Sequence, residues 1–137
     1  MSHQRPGSVV VVAFSLLAAT FIALATGISL VRPGTALDRL WQLNPRAHAA
    51  FAPLGRLAGA LLLLLACITA ATSIGLLRRR RWAWLFAIAI FAANGLGDLT
   101  SLLFRDRMKG AAGVFIAGVF LFLLLRPRMR SFFSRSA

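Results

Sequence analysis

The sequence predicts an all-α integral membrane protein, a bundle of four transmembrane helices. Three observations carry that prediction. Hydrophobic residues make up 59% of the 137 positions. They gather in four runs, 9–31, 53–77, 82–104 and 110–125, of 23, 25, 23 and 16 residues. The sixteen cations sit almost entirely at the boundaries of these runs. A hydrocarbon core of about 30 Å needs roughly 20 helical residues, so the first three runs span outright. The fourth spans with Lys109 and Arg126 snorkelling outward. The connections are short, so residues 1–137 are expected to form a single membrane domain.

The first helix begins after Pro6-Gly7-Ser8 and stops at Arg32-Pro33-Gly34. Its apolar run continues to Val31, well past the Ala23-Leu24-Ala25 stretch that resembles a signal-peptide cleavage site, so it is expected to be retained. Ser15, Ala19, Ala23 and Gly27 recur every four residues, a small-residue stripe suited to close helix packing. In the first loop, Thr35 and Asp38 read as a capping box for a short interfacial helix over 36–43, with Leu37, Leu40 and Trp41 on one face. Asn44-Pro45 then reads as the cap and first position of another short helix, which kinks at Pro53.

The second span opens with Gly55-Arg56-Leu57-Ala58-Gly59, a GxxxG pattern expected to pack within the bundle. Its hydroxyls, Thr69, Thr72 and Ser73, are expected to bond to carbonyls of their own helix. Cys67 is the lone cysteine, which excludes an intramolecular disulfide, and is read as a small buried residue. Arg78, Arg79, Arg80 and Arg81 join spans two and three in a tight hairpin. Trp82 and Trp84 follow, and with Trp41 they are read as interfacial anchors. RDRMKG (105–110) turns the chain into span four. The tail combines Arg126, Arg128 and Arg130 with Phe132 and Phe133, a mixture suited to an anionic leaflet.

A net charge of +13 suggests nucleic acid in a soluble protein. Here the cations flank apolar spans and build no continuous basic helix, so their expected partners are lipid headgroups and no nucleic acid. With four spans, the N-terminal side carries Arg5, Arg78, Arg79, Arg80, Arg81, Arg126, Arg128, Arg130 and Arg135, nine cations. The opposite side carries Arg32, Arg39, Arg46, Arg56, Arg105, Arg107 and Lys109, seven. The bias places both termini in the cytoplasm, with a margin small enough to leave dual topology open. The preference for Arg over Lys, together with abundant Ala, Gly and Leu, points to a bacterial inner membrane.

The chain has three acidic residues, and one of them, Asp98, lies inside the third run. Five residues past the midpoint of 82–104, it sits about 7–8 Å from the bilayer midplane. An ionised carboxylate facing lipid there costs about 3 kcal/mol or more, so Asp98 is expected to face the bundle. Asn94, Asp98 and Ser101 share one helix face, and Ala89, Ala93, Gly97 and Ser101 form the stripe beside it. Span two runs antiparallel to span three, which makes Arg56 the expected counter-charge. Asn94, Ser101 or Thr26 would complete the hydrogen bonds, and Arg105 is the alternative cation.

His48 has no cysteine, carboxylate or second histidine beside it in the sequence, so no metal site or catalytic triad is expected. No phosphate-binding loop, nucleophile elbow or haem-attachment motif is present, and no cofactor is expected. The function most in keeping with this is a non-enzymatic accessory or scaffold component of a membrane assembly. The alternative is a small homo-oligomeric transporter or channel that uses Asp98 as a coupling carboxylate. Size, helix number and balanced charge resemble those of the small multidrug-resistance transporters. That family's coupling acid is a glutamate in the first span, whereas this chain has no glutamate and its embedded acid is in the third. An enzyme acting on lipid or quinone is a third reading, and it requires His48 or Asp38 to fold close to Asp98.

Overall fold

The computed structural model describes residues 6–135, of which 90% are helical with no strand among them. Four helices are long and apolar enough to cross a membrane: α1 (Gly7–Val31), α3 (Gly55–Leu77), α4 (Arg81–Phe104) and α5 (Arg107–Leu125). Two short helices complete the order, α2 (Pro45–Phe51) after the first loop and α6 (Pro127–Ser134) at the C-terminus. The helices α1, α3, α4 and α5 match the four expected runs within three residues at every boundary, and α6 is an element that the sequence pattern did not suggest.

Caps explain where the short elements begin. Asn44 accepts a hydrogen bond from the backbone N–H of Ala47 at 3.2 Å, and Pro45 takes the first position of α2, where its missing N–H costs nothing. The chain then turns through a 3₁₀ segment, Ala52–Leu54, and breaks at Gly55, whose φ of +48° favours glycine. The break therefore falls at Gly55 and not at Pro53. Asp106 caps α5 by accepting from the N–H of Lys109.

The backbone packs as two compact units, one made of 15–71 and the other of the first helical turns to Phe14 together with the chain from Thr72 onward. Helices α1 and α3 each carry a packed stripe with a period of about 3.5 residues. On α1 the buried stripe runs through Val9, Ala13, Leu16, Thr20, Ala23, Gly27 and Leu30, alternating steps of four and three as in coiled coils, with Val12 and Ser29 buried beside it. The expected every-four stripe is thus only partly used: Ala23 and Gly27 belong to it, while Ala19 is exposed. On α3 the same period runs through Gly59, Leu62, Ala66, Thr69, Ser73 and Leu76. Cys67, expected to be buried, falls off this face and is exposed.

Within 15–71, α1 and α3 run antiparallel. A Cβ on Gly59 would stand 2.7 Å from Val31 Cγ2 and 2.9 Å from the Gly27 carbonyl. Of the GxxxG pair, then, Gly59 makes the close helix contact and Gly55 makes the turn. Thr20 and Thr69 share a hydrogen bond of 2.8 Å across this pair.

In the other unit, Ser73 donates to the Ala13 carbonyl at 2.8 Å, a bond to a neighbouring helix where one within α3 was expected. At the end of α3, the N–H of Arg80 reaches the Gly75 carbonyl and that of Arg79 reaches Leu76. This is a Schellman ending with Arg79, at φ +59°, in the left-handed position that glycine usually fills. The Arg79 guanidinium lies over the Phe132 ring of α6, 4.1 Å from its centroid. Met129 and Phe133 of α6 are fully buried. The tail expected to lie on a leaflet therefore folds its apolar residues into its own unit.

Candidate functional site

α4 and α5 form a tight antiparallel pair whose register can be followed residue by residue. Trp84 donates its indole N–H to the Leu124 carbonyl at 2.9 Å. The rings of Phe91 and Phe120 stack with centroids 4.6 Å apart. Gly95 faces Ala117, and Gly110 fits against the backbone of Leu102. Between these contacts lies Asp98, directed at Gly113: a Cβ on Gly113 would overlap the Asp98 carboxyl group. The acid thus occupies a seam position of the α4–α5 pair, where only a glycine leaves it room.

The seam opens there into a cleft of about 410 Å³ lined by Phe91, Ala93, Asn94, Gly97, Asp98, Gly113, Ile116 and Ala117. Asp98 is half-buried, whereas Ala93, Asn94 and Gly97 are exposed. The small-residue stripe expected on the packed side is therefore the open wall of the cleft. Among the described residues, no hydrogen bond reaches the Asn94 amide or the Asp98 carboxylate. Ser101 and Thr26, expected to complete that network, donate within their own helices, to Gly97 at 3.1 Å and to Ile22 at 2.7 Å. A hydroxyl has one proton to give, and in both cases it is already committed. Arg56, the expected counter-charge, is an exposed residue in the first turn of α3 and belongs to the other compact unit. Arg105 is the exposed C-cap of α4.

A second polar cluster, not assembled from the sequence, organises the first loop. Asp38 accepts the Ser29 hydroxyl on one oxygen and the Gly34 N–H on the other, at 2.6 Å for the latter. Trp41 donates its indole N–H to Ser29 at 2.9 Å. The Ser29 bond and then the Gly34 bond hold the Asp38 carboxyl below its ordinary pKa; burial opposes them, and the nearby His48 adds the smallest effect, also lowering. The expected capping box does not form: Thr35 makes no side-chain cap, and its hydroxyl oxygen is buried without a partner. Asp38 reaches back to Gly34 and Ser29 instead. The segment 36–43 is helical as expected, in 3₁₀ form.

Two of the three tryptophans read as surface anchors turn inward. Trp41 is 8% exposed, and Trp84 is half-buried and stacks on Phe133; Trp82 is 46% exposed. Each inward indole has found a hydrogen-bond acceptor, which is what allows it to leave the surface. His48 stands 5.0 Å from the Trp41 ring, centroid to centroid. Among the described residues no three of His, Cys, Asp and Glu converge as a metal site. No protein-family model, curated protein or solved structure matches the chain.

Proposed function

We propose that the chain is a four-span integral membrane protein that serves as a non-enzymatic accessory subunit of a larger membrane assembly, docking through the α4–α5 cleft. One observation carries this reading: Asn94 and Asp98 line an open cleft between apolar helices, with no hydrogen-bond partner for their side chains among the described residues. A carboxylate or amide left facing hydrocarbon is costly, so a polar group on a partner's helix is the natural cover. The exposed Ala93 and Gly97 let such a helix approach closely. The flanking arginines seat the protein among anionic headgroups of a bacterial inner membrane, with both termini cytoplasmic.

The experiment is native mass spectrometry of the gently solubilised protein expressed in its own host. A complex with a different subunit, lost on Gly97→Leu, is the expected result. A lone chain under the same conditions defeats the proposal.

The second reading is a homo-oligomeric transporter with Asp98 as its coupling carboxylate. The cleft volume of about 410 Å³ favours it, being room for roughly a dozen waters. A symmetric dimer in the same measurement selects this reading.

A further inference from the structure

Two chambers meet at Trp41, both built wholly from residues of 15–71. One, of about 580 Å³, is walled by Phe21, Ile22, Ala25, Leu43, Phe51 and Leu62. The other, of about 310 Å³, holds Ser29, Asp38 and His48 beside Pro33 and Gly55. Trp41 is a wall of each. An apolar slot beside a small chamber that carries polar side chains, with Trp41 as their common wall, suits an amphiphile.

The polar room is not built for hydrolysis. A serine nucleophile needs an imidazole to take its proton, and the Ser29 hydroxyl donates to Asp38 instead of His48. As a binding site its chemistry is more specific. A carboxylate offers about four acceptor positions, and Ser29 and Gly34 account for two. The remaining lone pairs suit a head group that carries a positive charge and N–H donors. Four exposed arginines, Arg32, Arg39, Arg46 and Arg56, belong to the same segment, and Arg32 and Arg56 adjoin the wall residues Pro33 and Gly55 in the chain. They suit an anion next to that cation. A hydrocarbon chain, an ammonium with N–H donors and a phosphate together describe a zwitterionic aminophospholipid.

We propose that this site binds one phosphatidylethanolamine-type lipid, with its ammonium at Asp38, its phosphate among the arginines and a chain end in the apolar chamber. The inference rests on the membrane placement proposed above and is independent of the accessory role. The test is native mass spectrometry of the full chain in mild detergent with added lipids of identical acyl chains. Phosphatidylethanolamine is expected to be retained as a single adduct, about tenfold more strongly than phosphatidylcholine, whose ammonium has no N–H to donate. Phosphatidylglycerol and dodecylamine, each lacking one of the two charges, are expected to be weaker as well. Asp38→Asn should erase the preference for the ethanolamine head, and Ala25→Phe should weaken every lipid by filling the apolar chamber. Equal retention of the ethanolamine and choline lipids by the wild-type chain overturns the proposal. So does a preference for phosphatidylglycerol or dodecylamine. The head-group comparison needs no variant, so it stands even if a substitution prevents folding. A negative result leaves the subunit reading untouched, because that reading depends on a protein complex and not on a lipid.

Discussion

The carboxyl group of Asp98 lies against the bare backbone of Gly113, in a space that a single methyl group would fill. Gly113→Ala is expected to destabilise the α4–α5 pair by about 1–3 kcal/mol, the usual cost of overpacking. Asp98→Ala in the same chain should recover most of that loss. A double-mutant cycle by thermal unfolding in detergent measures the coupling. Gly118 provides the control: a Cβ there meets nothing within 4 Å, so Gly118→Ala should leave stability unchanged or slightly raised. Additive effects of the two seam substitutions would mean that the carboxyl group is not seated as described.

Arg79 combines a left-handed backbone with a guanidinium over Phe132. Arg79→Ala keeps the backbone strain and loses the ring contact, which should cost about 0.5–1 kcal/mol. Arg79→Gly loses the same contact but relieves a strain of about 1–2 kcal/mol per non-glycine residue. The glycine variant should therefore be more stable than the alanine variant by roughly 1 kcal/mol. Chemical denaturation of the two side by side gives the comparison, and the reverse order would rule out the turn geometry.

The first loop should respond to acid. Asp38 is held below its ordinary pKa by Ser29 and Gly34. A carboxylate depressed in the folded state contributes fully above its unfolded value, and that contribution is lost as pH falls through the lower, folded value. The Trp41 indole N–H resonance, tied to Ser29, should hold its position at neutral pH and move below about pH 4. In Asp38→Asn that acid transition should be absent. A transition of equal size in the variant would assign it to another group.

Ser73→Ala removes a bond to the Ala13 carbonyl and leaves that acceptor dependent on its own helix. The expected loss is about 0.6 kcal/mol, the average for interhelical bonds of this kind in a membrane. Thr69→Val should cost less, because Thr20 keeps its bond to the Leu16 carbonyl at 2.8 Å. Thermal unfolding of both variants tests the ranking.

The four long apolar helices were legible because apolar length is a property of the chain alone, and the cap at Asn44 was local enough to leave a mark, whereas the cap at Asp106 was read only as part of a turn. The packed faces were harder to read. Ser15, Ala19, Ala23 and Gly27 look like one stripe because small residues at steps of four catch the eye, but packing selects a 3.5-residue period that passes through Thr20 and leaves Ala19 outside. The Asp98 position was visible as an anomaly, whereas its neighbour Gly113 was not. Nothing in a glycine of span four announces which residue of span three it will accommodate. Ser29 and Asp38 were missed as a pair for a related reason: the capping pattern of Thr35 and Asp38 satisfied the local rule, and the competing acceptor role appears only once α1 and the loop are folded together.

The shortness of α5 has a physical consequence of its own. At 19 residues it is about 28 Å long, against about 36 Å for the 24 residues of its partner α4. Two paired helices of such unequal length cannot both match a flat bilayer. In the bilayer placement proposed above, lipids beside α5 would compress and bring the water surface closer to its ends, including the one that begins at Arg107. Gly113 lies only six residues from that end, about 9 Å along the helix axis. The dimple would bring water to the mouth of the Asp98 cleft without any channel through the protein, so the same acid would be more wetted in a thin bilayer than in a thick one.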